Sequence, residues 1–218
     1  MTTLTTAPLA PLLTRLFAQA DAATSPAAAA IPREERQRLM RSKTEYLSFY
    51  SQLKDLWLPV SPETGRLLYL LARHAKARHV VEFGTSFGLS TLHLAAALRD
   101  NGGGLLITTE FEPSKVASAR AHLGEAGLSD LVDFREGDAL ETLRTGLPAS
   151  IDLLLLDGAK ALYDDVLDLV EPQLRPGALV IADNVDYSPD YLKRVRSPES
   201  GYLSLPFDKD VEISLRLY

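Results

Sequence analysis

Four short segments of this chain carry side chains suited to chemistry. They are Glu82-Phe83-Gly84-Thr85-Ser86-Phe87-Gly88-Leu89-Ser90, Glu110, Asp157-Gly158-Ala159-Lys160 with Tyr163 beyond it, and Asp183-Asn184. Asp157, Asp183 and the amide oxygen of Asn184 make an all-oxygen donor set. Such a set suits Mg²⁺, with waters or substrate oxygens completing an octahedron. Gly84 and Gly88 let the backbone approach a ligand closely. The helix opening behind them directs free N–H groups and the positive end of its dipole into the same space, which favours an anionic group, and Ser90 adds a hydroxyl donor. The spacing lacks the third glycine of a dinucleotide-binding Gly-x-Gly-x-x-Gly turn and suits a smaller anion, such as an amino-acid carboxylate. Glu110 ends an apolar run, where a carboxylate can accept two hydrogen bonds from a ribose diol. Its other reading is a solvated helix-entry acid.

These groups need strands and helices to deliver them. Apolar runs at Val80–Phe83, Leu105–Thr109, Leu131–Phe134, Ile151–Leu156 and Ala178–Ala182 alternate with helical stretches such as Ser114–Gly124. That alternation predicts βαβ units and a parallel sheet, with ligands outside the carboxyl ends of the strands. Val211 to Leu217 alternates strictly and, with Tyr202–Leu205, predicts an antiparallel hairpin at one edge. Upstream, Leu9, Leu12, Leu13, Leu16 and Phe17 form one helical stripe, and residues 22–31 read as a linker. Pro32 is placed as a first helical residue, and a second helix is expected from Arg33 toward Trp57. Ser61-Pro62-Glu63 signals the start of a helix over Thr64 to Lys76. Residues 1–57 are therefore read as a helical arm, serving as a dimer surface or a lid, and residues 58–218 as the ligand-binding domain.

With 218 residues, 46% of them hydrophobic, the chain can bury one substantial core. A formal charge of −6 provides no general positive field for a nucleic-acid backbone. The absence of cysteine excludes thiolate catalysis, thiolate metal ligands and disulfides, and accords with a reducing cytoplasm. No uninterrupted apolar run approaches bilayer length, and Arg15 interrupts the apolar part of the N-terminus. The expected partners are small molecules and a second copy of the chain in a homodimer, with no nucleic acid and no membrane.

In order and spacing, the four segments together with Gly137-Asp138-Ala139 and Asp183-Asn184-Val185 resemble the class I S-adenosylmethionine-dependent O-methyltransferases, in the branch of catechol and caffeoyl-coenzyme A O-methyltransferases. The resemblance covers about residues 58 to 218. It implies a Rossmann-like, seven-stranded, mostly parallel α/β sheet with an antiparallel last strand. It implies S-adenosylmethionine held by Gly84 and Ser90 at the methionine part, with Glu82 supporting the turn and Asp157 bordering the same site. Glu110 would hold the ribose, Asp138 and Ala139 would border the adenine, and Val60 and Ser61 would lie beside the pocket. Asp157, Asp183 and Asn184 match the family's metal ligands for Mg²⁺ or another divalent cation. Lys160 matches its proton acceptor, with Asp157 as the other catalytic group. A phenol is about one part in a thousand ionised at neutral pH, a deficit of roughly 4 kcal/mol that a directly bound cation can offset. Like charge from that cation would disfavour the Lys160 ammonium and make the lysine a base.

The chain departs from the family at Ala159, where many relatives carry an acid, and after Val185, where Asp186-Tyr187-Ser188-Pro189 replaces a Trp-Gly-type segment. Tyr187, Trp57 and Leu58 are candidate walls of a short substrate rim. Three other readings stand beside O-methyl transfer: a metal-independent methyltransferase on another small acceptor, a nicotinamide oxidoreductase, and a non-catalytic cofactor-binding module.

Overall fold

The computed structural model describes residues 1–218. In chain order its elements are α1 (Leu9–Ala22), α2 (Pro26–Ala30), α3 (Arg33–Met40), α4 (Tyr46–Gln52), α5 (Pro62–His74), β1 (His79–Phe83), α6 (Leu89–Asp100), β2 (Leu105–Glu110), α7 (Pro113–Glu125), β3 (Val132–Glu136), α8 (Ala139–Thr142), β4 (Ile151–Leu156), α9 (Tyr163–Val170), β5 (Leu174–Ala182), α10 (Pro189–Val195), β6 (Tyr202–Phe207) and β7 (Val211–Arg216). The strands form one sheet in the order β3-β2-β1-β4-β5-β7-β6. The first five are parallel, and β7 runs antiparallel between β5 and β6. The fold is thus the Rossmann-like α/β sheet with the expected C-terminal hairpin.

The central strands read as continuous apolar runs because helices cover both faces. In β4, Leu153 and Leu155 enter one buried cluster with α1, α5 and α6, while Leu154 and Leu156 enter the other with α9 and α10. The leucine stripe of α1 lies wholly in the first cluster, as its i, i+3, i+4, i+7 spacing demands. Thr3 pins this end of the chain through two bonds from its backbone N–H to Asp100, at 3.0 and 3.1 Å, and Tyr69 donates to the same carboxylate at 2.6 Å.

Between α1 and α5 the chain departs from expectation. The single helix expected from Arg33 toward Trp57 is two, α3 and α4, and Trp57 lies outside both. The hydroxyl of Ser42 accepts from the backbone N–H groups of Thr44 and Glu45, offering the chain local bonds that compete with the helical ladder. Pro32 is the N-cap of α3 rather than its first residue, and one helical turn, capped by Ser25, interrupts the linker. Residues 26–56 have a small cluster of their own, with Ala28, Leu39, Phe49 and Leu53 buried.

Strand register sets the site. Phe83 lies opposite Thr109 on β2 and Leu156 on β4, and Leu156 lies opposite Ala182 on β5. The next residue on each strand is Glu110, Gly84, Asp157 and Asp183, a single row across four carboxyl ends. Ala182 also lies opposite Glu212 on antiparallel β7, so Asn184 faces Asp210.

Candidate functional site

A cleft of about 860 Å³ opens above this row, lined by both the glycine turn and the segment containing Asp157. Gly84 has φ +104°, and a Cβ there would stand 2.7 Å from the backbone of Asp157 and Gly158. Gly158 is as constrained, since a Cβ would meet the Phe83 ring at 2.5 Å. The Asp157 N–H donates to the Phe83 carbonyl at 2.8 Å. The two strand ends are therefore packed backbone to backbone.

Glu110 stiffens the turn from the other side, accepting from the backbone N–H groups of Ser86 at 2.9 Å and Glu112 at 3.0 Å while still lining the cleft. Ser86 has its hydroxyl buried without a partner, a polar atom placed for a ligand. Asp138 caps α8 through Leu140 N–H at 3.0 Å, and its second oxygen accepts from the hydroxyl of Tyr46. Val60 and Ala139 are buried cleft walls.

Two expected contacts differ. Ser61 is exposed, caps α5 through Thr64 N–H at 3.0 Å and donates to the Thr64 hydroxyl, so helix initiation occupies it and it does not line the cleft. Ser90 borders the cleft, but its hydroxyl donates to Glu82 at 2.6 Å and is not the free donor the turn suggested. Glu82 is fully buried and also accepts from Thr91 and Thr108, each at 2.6 Å. Burial raises its carboxyl above the usual range against the opposing effect of these donors. Its work is to tie the turn, α6 and β2 together.

At the other end of the cleft, Lys160 donates to Asp157 at 2.7 Å, and both are buried. Burial pushes the Asp157 carboxyl up. Burial pushes the Lys160 ammonium down, but Asp157 together with Tyr163, Tyr50 and Asp183 outweighs it and holds the lysine well above its usual value. In this pair Lys160 is an ammonium; the expected base is the lysine beside a bound cation. Asp183 is raised to about 7, first by burial and then by the charge of Asp157. Its backbone carbonyl accepts from Tyr163 at 2.6 Å. Asn184, at φ 50°, donates its amide to Asp210 at 2.9 Å.

Asp157 and Asp183 are neighbours on adjacent strands, which in a sheet run about 4.8 Å apart. They are also short of compensating positive charge. With the amide oxygen of Asn184 they fit a hard divalent cation that keeps positions for water or substrate. No group of three or more His, Cys, Asp or Glu is arranged to hold a metal, so the anionic part of this set is two carboxylates. Lys160, Asp183 and Asn184 do not line the cleft themselves, and neither does Tyr187, whereas Trp57 and Leu58 do.

Sequence reasoning did not single out Ser86, Tyr46, Tyr50, Lys115 or Asp210. Tyr46 and Tyr50 line the cleft from α4, and the Tyr50 hydroxyl is buried without a partner. Lys115 is a buried cleft residue whose Nζ lies 5.5 Å over the Phe87 ring, and burial lowers its ammonium. Phe87 stacks on Trp57, with centroids 4.2 Å apart and planes 6° from parallel. Asp210 was within reach of inference, since a strand returning antiparallel beside β5 begins where β5 ends.

The methyltransferase-domain family matches residues 81–185, which hold the glycine turn, Glu110, Asp138, Asp157 and Asp183. Catechol O-methyltransferase from Niastella koreensis is 36% identical over 131 residues, covering 59% of this chain and 58% of that protein. Catechol O-methyltransferase B from Danio rerio is 34% identical over 175 residues, covering 76% and 65%. The chain thus spans less than two thirds of the length of these curated relatives. The structure of the O-methyltransferase TomG from Streptomyces achromogenes, in complex with SAM, is 30% identical, with a TM-score of 0.60 over 84% of this chain and 94% of that one. The chain belongs to the S-adenosylmethionine-dependent O-methyltransferase family. No helix is long and apolar enough to cross a membrane.

Proposed function

We propose that the chain transfers a methyl group from S-adenosylmethionine to a hydroxyl of a catechol-like or phenolic small molecule, with a divalent cation assisting. The observation that carries this reading is the row of strand ends. Glu110 and Gly84 stand on one side of the cleft and Asp157 on the other, with Lys160 bonded to Asp157 and Asp183 next on the adjacent strand, both just behind the cleft lining.

In this reading the ribose diol donates to the lone pairs left on the two Glu110 oxygens, each of which already accepts one backbone N–H, from Ser86 or Glu112. Adenine lies between Ala139 and Asp138, and the amino-acid end meets the turn at Gly84 and the orphan hydroxyl of Ser86. When bound, the cofactor supplies a methyl group on a sulfonium. Asp157, Asp183 and the Asn184 amide oxygen would hold the cation, which would supply stabilisation of a phenolate oxygen. Lys160, in its neutral form, would take the acceptor's proton at Nζ, with Asp157 positioning it. Trp57, Leu58 and Phe87 exclude water from the apolar wall of the cleft. Fixing acceptor oxygen and methyl carbon in line can contribute roughly 7–11 kcal/mol.

The test is incubation with S-adenosylmethionine, a panel of catechols and Mg²⁺, with and without chelator, products being read by mass. Methylated product that disappears with chelator and in Asp157→Ala is expected. A second reading, transfer without metal, is favoured by the ready-made 2.7 Å Lys160–Asp157 pair, and chelator-insensitive turnover selects it.

A further inference from the structure

α4 lies across the cleft with two tyrosines one turn apart. Tyr46 and Tyr50 are at i and i+4, on one face of the helix. Tyr46 donates to Asp138 at one end of the cleft. Tyr50 lines the cleft together with Asp157, Gly158 and Ala159 at the other, and packs against the cluster that holds Ala159, Leu162 and Tyr163.

Two features separate Tyr50 from an ordinary core aromatic. Its hydroxyl is buried without a hydrogen-bond partner, although buried hydroxyls in folded proteins nearly always find one. The helix that carries it belongs to the four-residue cluster of residues 26–56, against 25 and 22 buried residues in the two principal clusters. A phenol thus stands beside the reactive pair, on a helix whose own buried cluster is small.

We propose that Tyr50 is an internal plug of the acceptor site: its phenol occupies the place beside Asp157 where the acceptor's hydroxylated ring binds, and it swings out on α4 when the acceptor enters. The inference rests on the methyl-transfer reading for the identity of the acceptor and goes beyond it in naming the residue that gates access. An aromatic plug with a hydroxyl at its tip selects guests of its own kind, flat rings bearing a hydroxyl on the leading edge. Every acceptor must then displace it, so the observed affinity is the intrinsic one multiplied by the fraction of molecules with the plug withdrawn.

The experiment is a calorimetric titration of catechol into the whole protein loaded with S-adenosylhomocysteine and Mg²⁺. With Tyr50→Ala, catechol Kd is expected to fall about tenfold, because the displacement step is gone. Tyr50→Leu is a second small-side-chain variant with the same expected direction, should the alanine variant fail to fold. Tyr50→Phe keeps the ring and is expected to stay within about twofold of wild type. S-adenosylhomocysteine, measured alongside, is expected to bind all four proteins, at least as tightly in the alanine and leucine variants as in wild type. An unchanged or weakened catechol Kd in the alanine or leucine variant overturns the plug, as does catechol binding to none of the proteins. Catechol binding to wild type without methyl transfer overturns the reaction assigned above and leaves the plug standing.

Discussion

At Gly84 a single hydrogen atom decides whether two strand ends can touch. A methyl group there meets Asp157 and Gly158 backbone at 2.7 Å, and φ of +104° is strained for any residue with a Cβ. Gly84→Ala is therefore expected to cost about 2–4 kcal/mol, read from urea unfolding, and to displace Asp157 with it. An unfolding midpoint equal to wild type would contradict the packing. The glycine was legible in the sequence, but for a different reason, as room for a ligand; the neighbour that requires it is 73 residues away. Ser90 and Ser61 differ on this point. The Ser90 hydroxyl is spent on Glu82, a choice that only a tertiary contact reveals, and the Ser61 hydroxyl on the helix start its sequence signalled. The reading of Lys160 from sequence weighed the like charge of a cation and left out the lysine's 2.7 Å pairing with Asp157. Tyr50 went unnoticed because an aromatic at helical spacing looks like core until its hydroxyl is found without a bond.

Among the elements, α5 and α6 pack closely against each other. Gly65 faces His93 so tightly that a Cβ would lie 2.7 Å from the imidazole. The buried His93 uses Nδ1 to bond the Leu89 carbonyl at 2.8 Å, and burial lowers its pKa below the usual 6.5. The sign follows. The unfolded chain takes up a proton as pH falls through about 6.5, the folded one resists it, and stability is lost toward acid. Urea midpoints of wild type are expected to decline between pH 7.5 and pH 5, with a shallower decline in His93→Gln; equal slopes would show that other groups carry the acid sensitivity. The helices themselves were legible from Ser61-Pro62 and from the leucine stripe of α1. What the stripe packs on was not, because periodicity marks an apolar face and says nothing of its partner. The break between α3 and α4 was missed because Ser42, which causes it, is unremarkable in a polar stretch.

For the molecule as a whole, the sheet was foreseeable because both of its faces are covered, so its strands stand out as unbroken apolar runs between glycines and acids. The strand order was not legible, since no local pattern states which strands are adjacent. If the cleft takes the cofactor as proposed, ligand and fold are linked. S-adenosylhomocysteine at a hundredfold excess over Kd should add about 2.7 kcal/mol, raising Tm by about 5–11 °C for a chain of this size. An unmoved transition would count against cofactor binding whatever the activity assays show.

The i, i+4 placement of Tyr46 and Tyr50 carries a kinetic corollary. One helical turn holds down both doors of the cleft, so a nucleoside that unseats Tyr46 from Asp138 also slackens the grip of Tyr50 a turn away. Entry should then be sequential: cofactor leads, acceptor follows, and the second guest binds more readily for the first having arrived.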